Sequence, residues 1–147
     1  MSLITPADQT KLTEAFADLT RSVTLLFFTQ TLDCETCLQT RQILDELPVL
    51  SDKIAIEEVN FVLEKEKSAQ YGIDRVPAIV VLGQDASGEP RDSRIRFLGA
   101  PSGYEFISLV QAVLLVGGRH SSLAEPNRQR VAAVTTPTTI QVFTTPT

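Results

Sequence analysis

Val23-Thr24-Leu25-Leu26-Phe27-Phe28, a connecting stretch Thr29-Gln30-Thr31-Leu32-Asp33, and then Cys34-Glu35-Thr36-Cys37 form the stretch whose reading decides the fold. The only two cysteines of the 147-residue chain stand three apart, directly behind an apolar run. That order predicts a strand, a short loop, and a helix running from Cys34 to about Leu47, where Pro48 stops or kinks it. A thiol at a helix start meets unpaired N–H groups and the positive end of the helix dipole, and both favour thiolate. Cys34 is therefore the expected attacking sulfur and Cys37 the resolving one.

The same spacing also serves zinc and iron–sulfur sites. Zinc wants about four ligands, and the chain offers two thiols and a single histidine, His120, outside the main domain. Only a dimer sharing two cysteine pairs would complete a tetrathiolate site, so no metal is expected. No Gly-rich phosphate loop, Ser/His/Asp set or carboxylate pair stands out, and no cofactor is expected either. Asp33 and Glu35 flank Cys34 with negative charge, which opposes the thiolate and implies a reducing poise. They also suit a helix N-cap and first turn, where the dipole selects acids.

A second signal lies downstream in Tyr71-Gly72-Ile73-Asp74-Arg75-Val76-Pro77-Ala78-Ile79-Val80-Val81. It reads as a helix end, a glycine stop, an X-Pro bond and a buried strand. Around these two motifs the remaining elements fall into place. Thr5-Pro6-Ala7-Asp8 caps a first helix with Leu12, Phe16 and Leu19 on one face. Ile54 to Phe61 is a strand interrupted by Glu57 and Glu58, and Glu64 to Tyr71 a short solvated helix. Residues 83–88 form a hairpin turn into Ile95-Arg96-Phe97-Leu98. Ser102-Gly103-Tyr104-Glu105 reads as a capping box for a last helix that buries Phe106, Leu109, Val113 and Leu114 before Gly117-Gly118. Beyond it, Arg128 to Val134 suggests a short helix. Ile140-Gln141-Val142-Phe143-Thr144-Thr145-Pro146-Thr147 suggests another strand entering a loop, much like Leu25 to Thr31.

The whole pattern resembles the thioredoxin fold, and within it the cytosolic glutaredoxin-like protein disulfide oxidoreductases, which fuse two thioredoxin units with one C-x-x-C each. The resemblance rests on the leading helix, the six-residue step from Phe28 to Cys34, Tyr71 to Pro77, and Phe97-Leu98-Gly99-Ala100-Pro101-Ser102-Gly103-Tyr104-Glu105-Phe106. A similar doubled unit begins the alkyl hydroperoxide reductase flavoproteins. It implies an α/β, thioredoxin-like domain: a central mixed four-stranded sheet, helices on both faces, and an extra N-terminal helix. It also implies that Cys34 and Cys37 are catalytic, that the Val76-Pro77 bond is cis, and that both residues shape the groove where substrate backbone docks. Residues 1–118 would be the first unit, and residues 119–147 a linker with the first elements of an incomplete second one. The chain departs from thioredoxin proper in having Asp33 where that protein has Trp, and Glu35-Thr36 where it has Gly-Pro.

Composition bounds the rest. With 43% hydrophobic and 21% charged residues, the chain has the make-up of one globular domain plus an appendage. It has neither a run of about 20 apolar residues nor a signal-peptide pattern at its start, which makes a cytosolic location the default. The formal charge of −5 divides into +2 over residues 119–147 and −7 over the rest, which disfavours nucleic acid. The expected partners are disulfide-containing proteins and an upstream thiol reductant or reductase, with neither nucleic acid nor membrane. An unpaired apolar segment at 140–143 adds a tendency to self-associate. Two function classes stand: a dithiol oxidoreductase, and a non-catalytic module that docks a second unit.

Overall fold

A computed structural model describes residues 2–145. Its centre is β1 (Val23–Thr29). On one side β1 pairs in parallel with β2 (Ile54–Asn60), and on the other it pairs antiparallel with β3 (Ala78–Gln84). β3 in turn pairs antiparallel with β4 (Pro90–Leu98), giving a mixed sheet of order β2-β1-β3-β4. β1 and β3 are covered on both faces, which explains why they read as continuous apolar runs and not as alternating ones. Side chains of a strand point alternately to its two faces. Val23, Leu25 and Phe27 accordingly join one core and Leu26 and Phe28 the other.

The first core is closed by α1 (Pro6–Phe16), α2 (Cys37–Asp45), α3 (Leu47–Leu50) and α5 (Tyr104–Val116), which supply Phe16, Leu44, Leu47, Leu109 and Val113. The opposite face is covered by α4 (Lys65–Gln70) and its flanks, through Phe61, Tyr71 and Ile73. The two glutamates that interrupt β2 follow the same division. Glu58 pairs with Arg41 of α2 and Glu57 with Lys67 of α4, so successive residues of this edge strand meet helices on opposite faces. α6 (Glu125–Ala132) follows, with no buried residue. Among the described residues no helix is long and apolar enough to cross a membrane.

The N-terminal cap forms as the sequence implies: Thr5 accepts a hydrogen bond from the Asp8 N–H at 3.2 Å, with Pro6 opening the helix. Three expectations need correction. Pro48 does not end a helix reaching Leu47; α2 stops at Asp45, and Pro48 sits in the first turn of α3, where its missing N–H costs nothing. The capping box at Ser102 does not form. Gly103 is the N-cap with φ 59°, in the left-handed region, and no side chain caps the helix. Ile140 to Phe143 is not a strand: among the described residues it has no sheet partner, and Phe143 is 91% exposed. Pro146 and Thr147, at the end of that expected element, lie outside the described residues.

Glycines close the unit. The Gly117 carbonyl accepts the N–H groups of Thr20 at 2.9 Å and Arg21 at 3.1 Å, tying the end of α5 to the entry of β1. A Cβ on Gly117 would stand 2.2 Å from Leu19, and one on Gly118, whose φ is 113°, 2.0 Å from the Thr20 hydroxyl.

At the other end of the unit, the Glu46 carboxylate between α2 and α3 accepts hydrogen bonds from the Ser2 hydroxyl and from the N–H groups of Leu3 and Ile4. Desolvation opposes its ionisation, but these bonds outweigh it and hold the carboxyl below its ordinary value of 4.5. A depressed folded-state value means that this clip stabilises fully above that pH and is lost as pH falls through the lowered value. In an NMR titration the Leu3 and Ile4 amide shifts should therefore move with an apparent pKa below 4.5. Glu46→Gln should abolish that step.

Candidate active site

The loop leaving β1 is folded by its own polar groups. The Gln30 side-chain amide donates to the Leu32 carbonyl at 2.7 Å, and Asp33 adopts φ 56°, a left-handed conformation that Asp tolerates better than most residues. The Thr36 carbonyl then accepts both the Thr40 N–H at 2.9 Å and the Thr40 hydroxyl at 2.8 Å, with Thr40 fully buried. That carbonyl takes the first intrahelical bond, so Thr36 is the N-cap and Cys37 the first residue of α2. The helix expected from Cys34 thus begins three residues later. Asp33 and Glu35 are neither its cap nor its first turn.

Cys34 and Cys37 are joined as a disulfide with Cα atoms 5.5 Å apart. Cys37 is 5% exposed and packs at the helix base, whereas Cys34 is half-buried in the loop. Asp33 and Glu35 are exposed, and among the described residues neither carboxylate has a hydrogen-bond or ion-pair partner. Leu32 and Leu38 beside the cysteines are exposed as well.

Val76 and Pro77 lie at the same end of the sheet. The register pairs Phe28, one residue from the end of β1, with Ala78, which Pro77 immediately precedes. The Val76-Pro77 peptide is cis. Pro77 is buried and its carbonyl accepts the Gly99 N–H at 2.9 Å. Val76 is half-buried, and among the described residues its N–H and C=O have no hydrogen-bond partner.

Sequence reasoning missed the brace that holds this second segment. Arg96 on β4 donates two hydrogen bonds to Asp92, at 2.8 and 2.7 Å, and one to the Tyr71 carbonyl at 3.2 Å. Its guanidinium lies 5.9 Å from the centre of the Tyr71 ring, which in turn meets Phe28 edge-on at 6.2 Å. Asp92 also accepts the N–H of Arg94, whose φ is 65°, where the β3–β4 register shifts. The Arg96 hydrogen bonds, opposed by desolvation, hold the Asp92 carboxyl below the ordinary carboxylate range. The i,i+4 spacing of Asp92 and Arg96 was the available signal, but in a strand it says only that both side chains share a face.

Other features stay apart from the dithiol. A cleft of about 560 Å³ between α1, α2 and α5 is lined by Ile4, Leu12, Ile43, Phe106 and Ile107, and by no residue of the dithiol loop. His120 is exposed, and among the described residues no group of three His, Cys, Asp or Glu gathers to hold a metal ion.

No family model matches the chain. A probable thioredoxin of Methanothermobacter thermautotrophicus is 31% identical over 78 residues, which are 52% of this chain and 80% of that relative. The chain belongs to the thioredoxin family. Among solved structures, the N-terminal domain of the alkyl hydroperoxide reductase AhpF from Enterococcus faecalis superposes with a TM-score of 0.78 at 35% identity, over 88% of this chain. The present chain spans 60% of that solved chain. A protein disulfide oxidoreductase from Aeropyrum pernix, at 19% identity and a TM-score of 0.70 over 88% of this chain and 54% of that one, shares the fold. The mixed sheet, the leading α1 and the dithiol after β1 are those of a thioredoxin-fold unit. With its Cys-x-x-Cys pair, this family member is a thiol–disulfide oxidoreductase.

The brace generates a prediction. Arg96→Met should lower the unfolding free energy by roughly 0.5–1 kcal/mol, since water screens the ion pair it makes with the exposed Asp92 carboxylate. Urea denaturation at neutral pH measures it. Below the ordinary Asp value of 3.8 the difference should shrink, because the stability contributed by a carboxyl with a depressed pKa is lost as pH falls through that pKa.

Proposed function

We propose that Cys34 is the nucleophile and Cys37 the resolving thiol of a disulfide reductase acting on proteins. The Cys34 thiolate attacks one substrate sulfur, forming a mixed disulfide and expelling the first substrate thiolate. Cys37 then attacks the Cys34 sulfur, which releases the second thiolate and leaves the enzyme disulfide. Two electrons pass to the substrate, and an upstream dithiol reductant or reductase restores the enzyme. The observation that carries this reading is the asymmetry of the pair, with Cys34 half-buried in the loop and Cys37 buried at the helix base.

Val76 and Pro77 are the proposed docking edge. The unpaired N–H and C=O of Val76 are free to bond an extended substrate backbone beside the dithiol. Exposed Leu32 and Leu38 on one side and Leu98 on the other supply apolar contact. Asp33 and Glu35 act through charge on Cys34, which disfavours its thiolate and keeps the poise reducing. Partners are disulfide-bearing proteins in a reducing compartment, the cytoplasm.

Residues 1–118 form the catalytic unit in this reading, and residues 119–147 a linker with the first elements of a second, incomplete one. Support comes from the Gly117–Thr20 closure and from α6, none of whose own residues is buried. The likeness to the Enterococcus domain also runs over more of the chain than residues 1–118 alone make up. Exposed Ile140, Val142 and Phe143 favour self-association in the absence of a sheet partner.

Limited iodoacetamide on the reduced protein should label Cys34 before Cys37, and Cys34→Ser should abolish insulin reduction. Preference for Cys37, or an active Cys34→Ser, overturns the assignment. Deletion after Gly118 should leave the melting temperature nearly unchanged and reduce sedimentation-detected association. A collapse in stability would make the tail integral to the unit.

A further inference from the structure

The charge around Cys34 points to a substrate preference. Asp33 and Glu35 adjoin Cys34 in the chain, so their Cα atoms stand about 3.8 Å from its own. Both are exposed, and among the described residues neither carboxylate is paired with a cation. Three arginines of the elements that flank the two motifs are each engaged by an acid of their own: Arg41 pairs with Glu58, Arg75 with Asp74, and Arg96 with Asp92. Any substrate sulfur that reaches Cys34 therefore comes within a Debye length, roughly 8–10 Å, of two uncompensated carboxylates.

We infer that this oxidoreductase selects disulfides carrying positive charge beside the sulfur, with Asp33 and Glu35 as the specificity-determining residues. The inference rests on the assignment of Cys34 as nucleophile. The chemistry selected is the first exchange step: the Cys34 thiolate forms a bond to one sulfur of the substrate, the substrate S–S bond breaks, and the leaving sulfur departs as a thiolate. Cys37 completes the two-electron transfer by displacing the bound half, and dithiothreitol, a dithiol, resets the enzyme between turnovers. The acids do not take part in bond making. They raise the local concentration of a cationic disulfide and lower that of an anionic one.

Thiolate attack on an anionic disulfide is slowed by the thiolate's own charge, so selectivity has to be separated from that background. Three small disulfides do so: cystamine, which is cationic; 2-hydroxyethyl disulfide, which is neutral; and dithiodiglycolate, which is anionic. Pre-reduced protein is mixed with each, quenched in acid, and assayed by mass for loss of the free dithiol. Each rate is divided by that of the neutral disulfide in the same protein, which cancels any change in nucleophile strength because the same sulfur attacks all three.

At low salt two carboxylates acting at roughly 7 Å through water should multiply the cystamine-to-dithiodiglycolate ratio by about five- to ten-fold beyond what the basicities of the leaving thiolates set. The ratio should fall by about that factor in Asp33→Asn/Glu35→Gln at the same low salt, the leaving thiolates being unchanged. Asn is chosen at 33 because it too tolerates the left-handed backbone. An unchanged ratio in the double variant, with the neutral disulfide still reduced, overturns the charge selection and leaves the oxidoreductase reading standing. Failure to react with the neutral disulfide removes both. If the double variant does not fold, the single variants Asp33→Asn and Glu35→Gln decide at the same low salt, and an unchanged ratio in both overturns the inference.

Discussion

β1 is the constraint on which the rest depends. It is hydrogen-bonded on both edges and packed on both faces, so its side chains tolerate neither exposure nor a one-residue slip of register. Because Phe28 is fixed against Ala78 and Val59, the chain must leave β1 at a set point, and the dithiol loop inherits that position. The same register sets Pro77 one residue before Ala78 at the same sheet end. Two segments that lie about forty residues apart in sequence are thus brought together by strand pairing, without any direct bond between their side chains.

Around that fixed frame, local polar groups do the fine placement. Gln30 and Thr40 shape the dithiol loop from its two ends, and Arg96 ties the turn after α4 to β4 while resting on Tyr71. These interactions are individually worth about 1 kcal/mol. Their weight lies in direction: they restrict where Cys34 and Val76 stand without burying either completely. Both stay partly open to solvent, so their geometry is held from beneath and from the sides.

Much of this was legible in the chain. Apolar runs at Val23 and Ala78 gave the central strands because burial on both faces leaves a continuous signature, and Thr5-Pro6 gave the first helix because its cap is local. The dithiol and the Val76-Pro77 step stood out as motifs. The start of α2 did not, because it depends on the Asp33 backbone and on which carbonyl receives the first helical bond, and several residue types satisfy both. Ser102 and Glu105 matched the spacing of a cap that the Gly103 backbone overrode. Arg96 was invisible since its partners are set by a register shift in β3–β4. Ile140 to Phe143 had strand composition without a strand to pair with, and composition alone cannot supply one.

The order of strands in space has a further meaning for a chain made from one end to the other. β1 emerges early, but its antiparallel neighbour β3 ends only at Gln84, and the carbonyl of Gly117 that closes the unit arrives later still. Cys34 and Cys37 therefore leave the ribosome well before the frame that buries one and presents the other. The difference in burial between the two cysteines is conferred on them last, by residues synthesised some eighty positions downstream.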